Sequence, residues 1–221
     1  MARSFSFLLV TLFLTQIFGA NVLFLSGVAS PSHHIFNRAL AVGLAKTHNV
    51  TFLSADLGKV SIPRLHYIHL EKVYEALYEG DDKLNLMEMT DPNPLKTFDG
   101  FKDYNVMSCE GNLASKGLET ILNYPDDFKF DVVLHDFTCG SCLLPLIHKF
   151  NYPPLVAVTA FNIPPYSIFT IGGQKYPAII PHYLNNYSVH MTFKQRAYNL
   201  YVYVLDLLWV ANYFDLNDKF G

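Results

Sequence analysis

The sequence predicts an α/β protein with a Rossmann-like, doubly wound, mostly parallel sheet. Three observations carry this. Asn21–Gly27 (NVLFLSG) and HNVTFLSA are apolar strand-like runs flanking one helix-length stretch. Strand, helix and strand within about 35 residues form a βαβ unit with a right-handed crossover. The same rhythm returns later, where FDVVLHD and PPLVAVTA bracket CGSCLLPLIHKF.

The elements follow in order. After the first strand, VASPS is a short loop. HHIFNRALAVGLAK places Ile35, Ala39, Leu40, Val42 and Leu44 mostly on one helical face. Ser30 or Ser32 caps this helix, with Pro31 tolerated in its first turn. LHYIHL, near residues 65–70, reads as a third strand. Glu71 to Met89 reads as helical, interrupted at Gly80, Asp81 and Asp82, and DPNPLKTFDG as a loop. Tyr104 to Leu122 forms a helix through Met107, Leu113, Leu118 and Leu122, stopped by Asn123, Tyr124 and Pro125. CGSCLLPLIHKF reads as a helix with Pro145 inside it. From Phe161 the chain is rich in Pro, Tyr and Gly (FNIPPY, IGGQKYP, IIPHY), which predicts long ordered loops. QRAYNLYVYVLDLLWVANYF is an apolar helix, too short to span a bilayer comfortably and interrupted by Asp206. It is expected to pack on another part of the protein, with contact to a membrane surface as the alternative.

Composition narrows the class. The chain is 51% hydrophobic and 16% charged, so it builds a packed core. A net charge of -3 without a basic run argues against nucleic acid as a partner. Residues 1–20 have the layout of a secretory signal peptide: Arg3, an apolar run from Phe5 to Phe18, then Gly19 and Ala20. Residues 21–221 then form one domain. Entry to the secretory route permits one bridge among Cys109, Cys139 and Cys142 and leaves one thiol. N-x-S/T glycosylation sequons stand at Asn49 and Asn186. Asn49 begins a buried strand, where a sugar would clash, and Asn186 sits in a polar loop.

Two residues stand where chemistry is expected. His33 follows a strand and opens a helix, and ligands of open α/β sheets bind beyond the carboxyl ends of the strands. The partial positive charge of a helix start favours the neutral, proton-accepting imidazole. His34 has the same local claim, and the residues alone leave the two open. Asp136 ends the FDVVLHD strand and opens on the same side of the sheet. There a carboxylate orients a histidine and stabilises its protonated form, as in a catalytic triad without the serine. Capping of the next helix is the plainer role for Asp136. The acidic pairs Asp81–Asp82 and Asp126–Asp127 are solvated loop charges, and no Asp-x-Asp metal signature occurs.

The segments NVLFLSGVASPSHHIFNRAL, FDVVLHD, PPLVAVTAFNIPPY and IGGQKYPAIIPHY together resemble the amino-terminal half of UDP-glycosyltransferases. The similarity is greatest to the insect membrane-bound enzymes related to UDP-glucuronosyltransferases. In that family the catalytic histidine follows a serine after the first strand, which here is His33 after Ser32. The catalytic aspartate ends the FDVV-type strand, which here is Asp136. The resemblance implies the N-terminal domain of a two-domain GT-B fold. It implies inverting transfer of a hexose or glucuronic acid from a UDP-sugar to a small lipophilic acceptor hydroxyl, without metal or other cofactor. Phe161, Tyr166 and Phe169 then help hold the acceptor. The family's nucleotide-sugar signature lies in a C-terminal domain, followed by a transmembrane helix and a basic tail. The chain ends at Gly221 before either. The resemblance therefore implies about half a family member, inactive alone, from an endoplasmic-reticulum membrane enzyme facing the lumen.

Two rivals compete. VVLHDFTCGSC places Cys139 and Cys142 after a strand and at a helix start, as in thioredoxin-like oxidoreductases. The plainer reading is a buried pair or a local bridge. Alternatively, the aromatic loops line the pocket of a secreted carrier of hydrophobic ligands, with no chemistry attached.

Overall fold

A computed structural model describes residues 19–80, 83–160, 165–167 and 171–217. Residues 1–18, most of the stretch expected as a signal peptide, and Asp81 and Asp82 lie outside the described residues. The described residues form a five-stranded, all-parallel sheet in the order β3-β2-β1-β4-β5 with helices packed on it. The strands are β1 (Asn21–Ser26), β2 (Asn49–Ser54), β3 (Leu65–His69), β4 (Val132–Asp136) and β5 (Leu155–Val158). The fold is therefore the doubly wound α/β class that the sequence predicts.

Alternation along the strands divides the core in two. Val22 and Phe24 of β1 join Val50, Phe52 and Leu65 beneath helix α1 (Pro31–Leu44), which contributes Ala41. Leu23, Leu25, Leu53, Ile68 and Val133 face the other way. They pack with residues of α2 (Val73–Tyr78), α3 (Pro94–Ala114), α4 (Lys116–Leu122) and α5 (Pro145–Lys149). Strands covered on both faces read as continuous apolar runs, which is why they were legible in sequence.

Several boundaries differ from the sequence expectation. DPNPLKTFDG is not a loop throughout. Asn93 caps α3 by accepting from the Leu95 N–H at 3.1 Å, and Pro94 takes the first helical position, where no N–H is needed. The stretch from Tyr104 to Leu122 is two helices. Ser115 turns extended between them; its hydroxyl donates to Gly111 O at 2.8 Å and accepts from the Lys72 N–H at 3.0 Å. Helix α2 ends at Tyr78, where Glu79 is extended and Gly80 has φ 89°. Pro145 starts α5 instead of lying within a helix, because its ring cannot accommodate a preceding turn.

The largest correction concerns α1. Its apolar residues were expected to face inward, yet Ile35 is 71% exposed and Leu40 36%. The buried positions are His33, Asn37 and Ala41, one per turn. Small Ala41 lets the helix lie close on Phe24 and Phe52. Nearer its start the helix lies over the polar strand ends, and polar side chains meet them. Ser30 occupies the cap position, but its hydroxyl bonds to that of Ser32 instead of a helix N–H.

The final helix, α6 (Phe193–Asn217), starts two residues earlier than the apolar pattern suggests. It buries Asn199, Val202, Tyr203, Asp206 and Val210. Phe193, Leu200, Val204 and Leu208 form an exposed stripe on its other side. No helix among the described residues is long and apolar enough to cross a membrane.

Cys109 of α3 and Cys142 are joined by a disulfide. The Cys139–Cys142 pairing required for a local bridge is absent, and this cross-link occupies the second thiol of the oxidoreductase reading. Cys139 belongs to the 3-10 turn Phe137–Cys139.

Candidate functional site

Strand order reverses between β1 and β4: the chain winds outward from β1 through β2 to β3, then crosses back to β4 and β5. Ligand crevices of open α/β sheets form at such a switch point, beyond the carboxyl ends of the strands. Ser26 ends β1 there, Asp136 ends β4, and α1 begins close by.

His33 and Asp136 meet at this point. Nδ1 of His33 lies 2.9 Å from Oδ2 of Asp136, across 103 residues of sequence. The carboxylate is fully buried and the imidazole nearly so. Asn37, one turn after His33, donates from Nδ2 to the same Oδ2 at 2.6 Å and to the Ser26 hydroxyl at 2.8 Å. The other carboxylate oxygen accepts from the Thr138 N–H at 3.0 Å. Asp136 thus caps the short turn after β4 with one oxygen and holds His33 with the other.

Electrostatics follow from this arrangement. Burial pushes the Asp136 carboxyl up, but hydrogen bonds from His33, Asn37 and Thr138 outweigh it and hold the group below its ordinary value. An ionised carboxylate only accepts, so Nδ1 of His33 carries the proton and Nε2 is the basic nitrogen. The arrangement can remove a proton from a hydroxyl and then stabilise the resulting imidazolium.

His34 takes a different place. Its Nδ1 lies 3.3 Å from the Ser54 hydroxyl at the end of β2, and its ring stacks on Phe52. Burial lowers its pKa, Asp56 raises it, and Arg38 lowers it, with a net fall. Geometry therefore pairs only one of the two adjacent histidines with a carboxylate.

The remaining sequence candidates are not gathered at this pair by any described contact. Phe161 and Phe169 lie outside the described residues. Tyr166 belongs to the 3-10 turn Pro165–Ser167. Asn186 is exposed. Asn49 is also exposed, at the very start of β2, while the five strand residues after it are buried. Its amide donates to Asn21 Oδ1 at 3.1 Å. Among the described residues no group of three His, Cys, Asp or Glu is placed to hold a metal ion.

Sequence reasoning missed Asn37, Ser26 and Thr138. The i, i+4 spacing of His33 and Asn37 was the one available signal. It also missed a second His–Asp pair, in which His182 Nε2 lies 3.0 Å from Asp206 Oδ2. Nδ1 of His182 accepts from the Leu184 N–H at 3.2 Å, and both side chains are buried. With each ring nitrogen engaged, this pair ties the 177–184 segment to α6.

His135, the residue before Asp136, points to the opposite face of the sheet. It is fully buried, and neither ring nitrogen has a hydrogen-bond partner. Burial pushes its pKa down to about 4, partly offset by the Asp136 charge. In the unfolded chain it titrates near the ordinary 6.5. Below that pH the unfolded state therefore binds a proton that the folded state refuses. The stability conferred by neutral His135 is complete above pH 6.5 and is lost as pH falls towards 4, by up to about 3 kcal/mol. His135→Phe is expected to flatten stability against pH in this window, measured by urea unfolding. An unchanged slope would assign the acid sensitivity to other groups.

Comparison with known proteins adds to this picture. No family model matches the chain. Over 208 residues it is 26% identical to UDP-glycosyltransferase UGT5 of Dactylopius coccus. The similarity is to a UDP-glycosyltransferase. The alignment takes in 92% of this chain and 39% of that UDP-glycosyltransferase, so the chain spans about two fifths of its relative's length. With so little of the chain left outside, His33 and Asp136 both fall within the aligned span.

Proposed function

We propose that residues 21–221 are the acceptor-activating domain of a UDP-glycosyltransferase, with His33 as base and Asp136 as its partner. The observation that carries this is the buried 2.9 Å His33–Asp136 contact at the topological switch point. Similarity to a UDP-glycosyltransferase supports the reaction class.

In this mechanism Nε2 of His33 takes the proton of an acceptor hydroxyl as its oxygen attacks the anomeric carbon of the sugar. The bond from that carbon to the diphosphate breaks, and UDP leaves with the electron pair. The product is a glycoside of inverted configuration, and Asp136 stabilises protonated His33 until the proton passes to solvent. Attack by the acceptor itself requires neither a covalent sugar–protein intermediate nor a carboxylate pair. The UDP-sugar, carrying hexose or glucuronic acid, is held by a donor-binding domain beyond this chain. The Phe161–Tyr176 loops hold the small lipophilic acceptor, with Phe161, Tyr166 and Phe169 as the contacting rings.

Residues 1–20 serve as a signal peptide, and the protein acts in the endoplasmic-reticulum lumen, attached to the membrane by a tail beyond this chain. The Cys109–Cys142 disulfide and the exposure of Asn186 support an oxidising, glycosylating compartment.

The test is UDP release from UDP-glucose or UDP-glucuronic acid with lipophilic phenols and alcohols. The chain is assayed joined to a donor-binding domain, either its own continuation or that of the relative. His33→Ala is expected to lower turnover by about 10²–10⁴-fold. Acceptor binding by the variant should persist. Full turnover in His33→Ala would remove His33 as the base.

A further inference from the structure

We propose that Asn199 of α6 is a positioning residue that holds the chain returning from β5 in the arrangement that seats the acceptor. The inference rests on the acceptor-holding role proposed for that stretch.

Asparagine is a poor helix former, and a buried amide needs partners, so a fully buried Asn199 inside α6 requires a reason. The reason lies in its four hydrogen bonds. Oδ1 accepts from the His182 N–H at 2.7 Å and from Nδ2 of Asn185 at 2.8 Å. Nδ2 donates to Pro177 O at 2.7 Å and to Ile180 O at 2.9 Å. Both lone pairs and both hydrogens are used, and a reversed amide would oppose all four partners. Every partner belongs to residues 177–185, a segment without strand or helix. One side chain thus supplies bonds that regular secondary structure supplies elsewhere.

Neighbours on the same side of α6, at three- and four-residue spacing, complete the grip. Arg196 donates to Ala178 O, and to Met191 O at 3.0 Å. The Tyr203 ring meets the His182 ring edge-on, and Asp206 accepts from Nε2 of His182.

The segment matters because of where its chain comes from. β5 ends at Val158, in register with Asp136, so the chain leaves the sheet beside the His33–Asp136 pair. The turn at Pro165–Ser167 then packs on α6. Lys175, two residues before Pro177, donates from Nζ to the buried Ser167 hydroxyl at 2.8 Å. β5 therefore fixes one end of the stretch and Asn199 the other. A stretch fixed at both ends binds with little ordering cost, and losing an anchor lowers the fraction of molecules ready to bind.

Two measurements test this. The first is amide hydrogen exchange in the 221-residue chain at neutral pH. Asn199→Leu should speed exchange within 177–185 about tenfold and leave β1 and β4 unchanged. Arg196→Ala, at a half-buried position, should speed it about threefold and carries the test if Asn199→Leu does not fold. The second is turnover of 2-naphthol with UDP-glucose by the chain joined to a donor-binding domain. Asn199→Leu should raise the KM for 2-naphthol about tenfold, with kcat and the KM for UDP-glucose within about twofold. Unchanged exchange within 177–185 in the folded variants would overturn the anchoring role. Faster exchange with an unchanged KM for 2-naphthol, or a fall in kcat alone, would overturn the link to acceptor seating. A joined protein without turnover before any substitution would overturn the acceptor reading itself, a failure told apart because the exchange comparison needs no substrate.

Discussion

Asp136→Asn is expected to lower turnover of the chain joined to a donor-binding domain by about 10³–10⁴-fold, with little change in KM. The carboxylate accepts on both sides: from His33 and Asn37 at Oδ2, and from the Thr138 N–H at Oδ1. An amide has one accepting atom. If its oxygen faces His33, its NH2 group opposes the Thr138 N–H. If it turns the other way, it opposes Asn37 and drives the His33 proton to Nε2. In the second orientation the base is lost outright, and in either the imidazolium loses its counter-charge. One opposed donor pair also costs about 1–3 kcal/mol of stability. A thermal melt must therefore accompany the kinetics. A folded Asp136→Asn protein with near-native turnover would remove Asp136 from the mechanism.

Loss of the Cys109–Cys142 bridge should cost roughly 4 kcal/mol of stability. The bond closes a loop with a sequence separation of 33, and opening it restores that freedom to the unfolded chain. The expectation is a lower urea midpoint for Cys109→Ser, reproduced in the unsubstituted chain by reductant. Reductant should have no further effect on Cys109→Ser. The bridge also fastens the segment after Asp136 to α3, close to where Gly140 packs beside Asn105. Its opening is therefore expected to loosen the Thr138 turn that holds Asp136 Oδ1. Equal stability with and without reductant would show that the two thiols are not linked in solution.

Part of this protein was determined by the sequence alone. Alternation and apolar runs marked all five strands: the central β1, β2 and β4 are largely buried and leave little choice of residue, while the edge strands β3 and β5 kept enough apolar residues to be read. Their order with the intervening helices predicted the doubly wound sheet. His33 and Asp136 stood out because each sits where a strand has just ended, and that position depends only on local pattern. The start of α3 was missed because Asn-Pro reads as a turn until the helix that it caps is known.

Other features belong to the tertiary structure. That His33 and not His34 meets Asp136, 103 residues away, is visible only in the folded chain. The inward face of α1 was misjudged because hydrophobic periodicity assumes an apolar floor, whereas the start of this helix lies over Ser26 and Asp136. Asn37 was missed for the same reason. The partner of Cys142 proved to be Cys109 of α3, not its sequence neighbour Cys139, since closure depends on where two chain segments meet. Sequence determines what each segment prefers locally. Only the folded chain decides which polar group each buried one must satisfy.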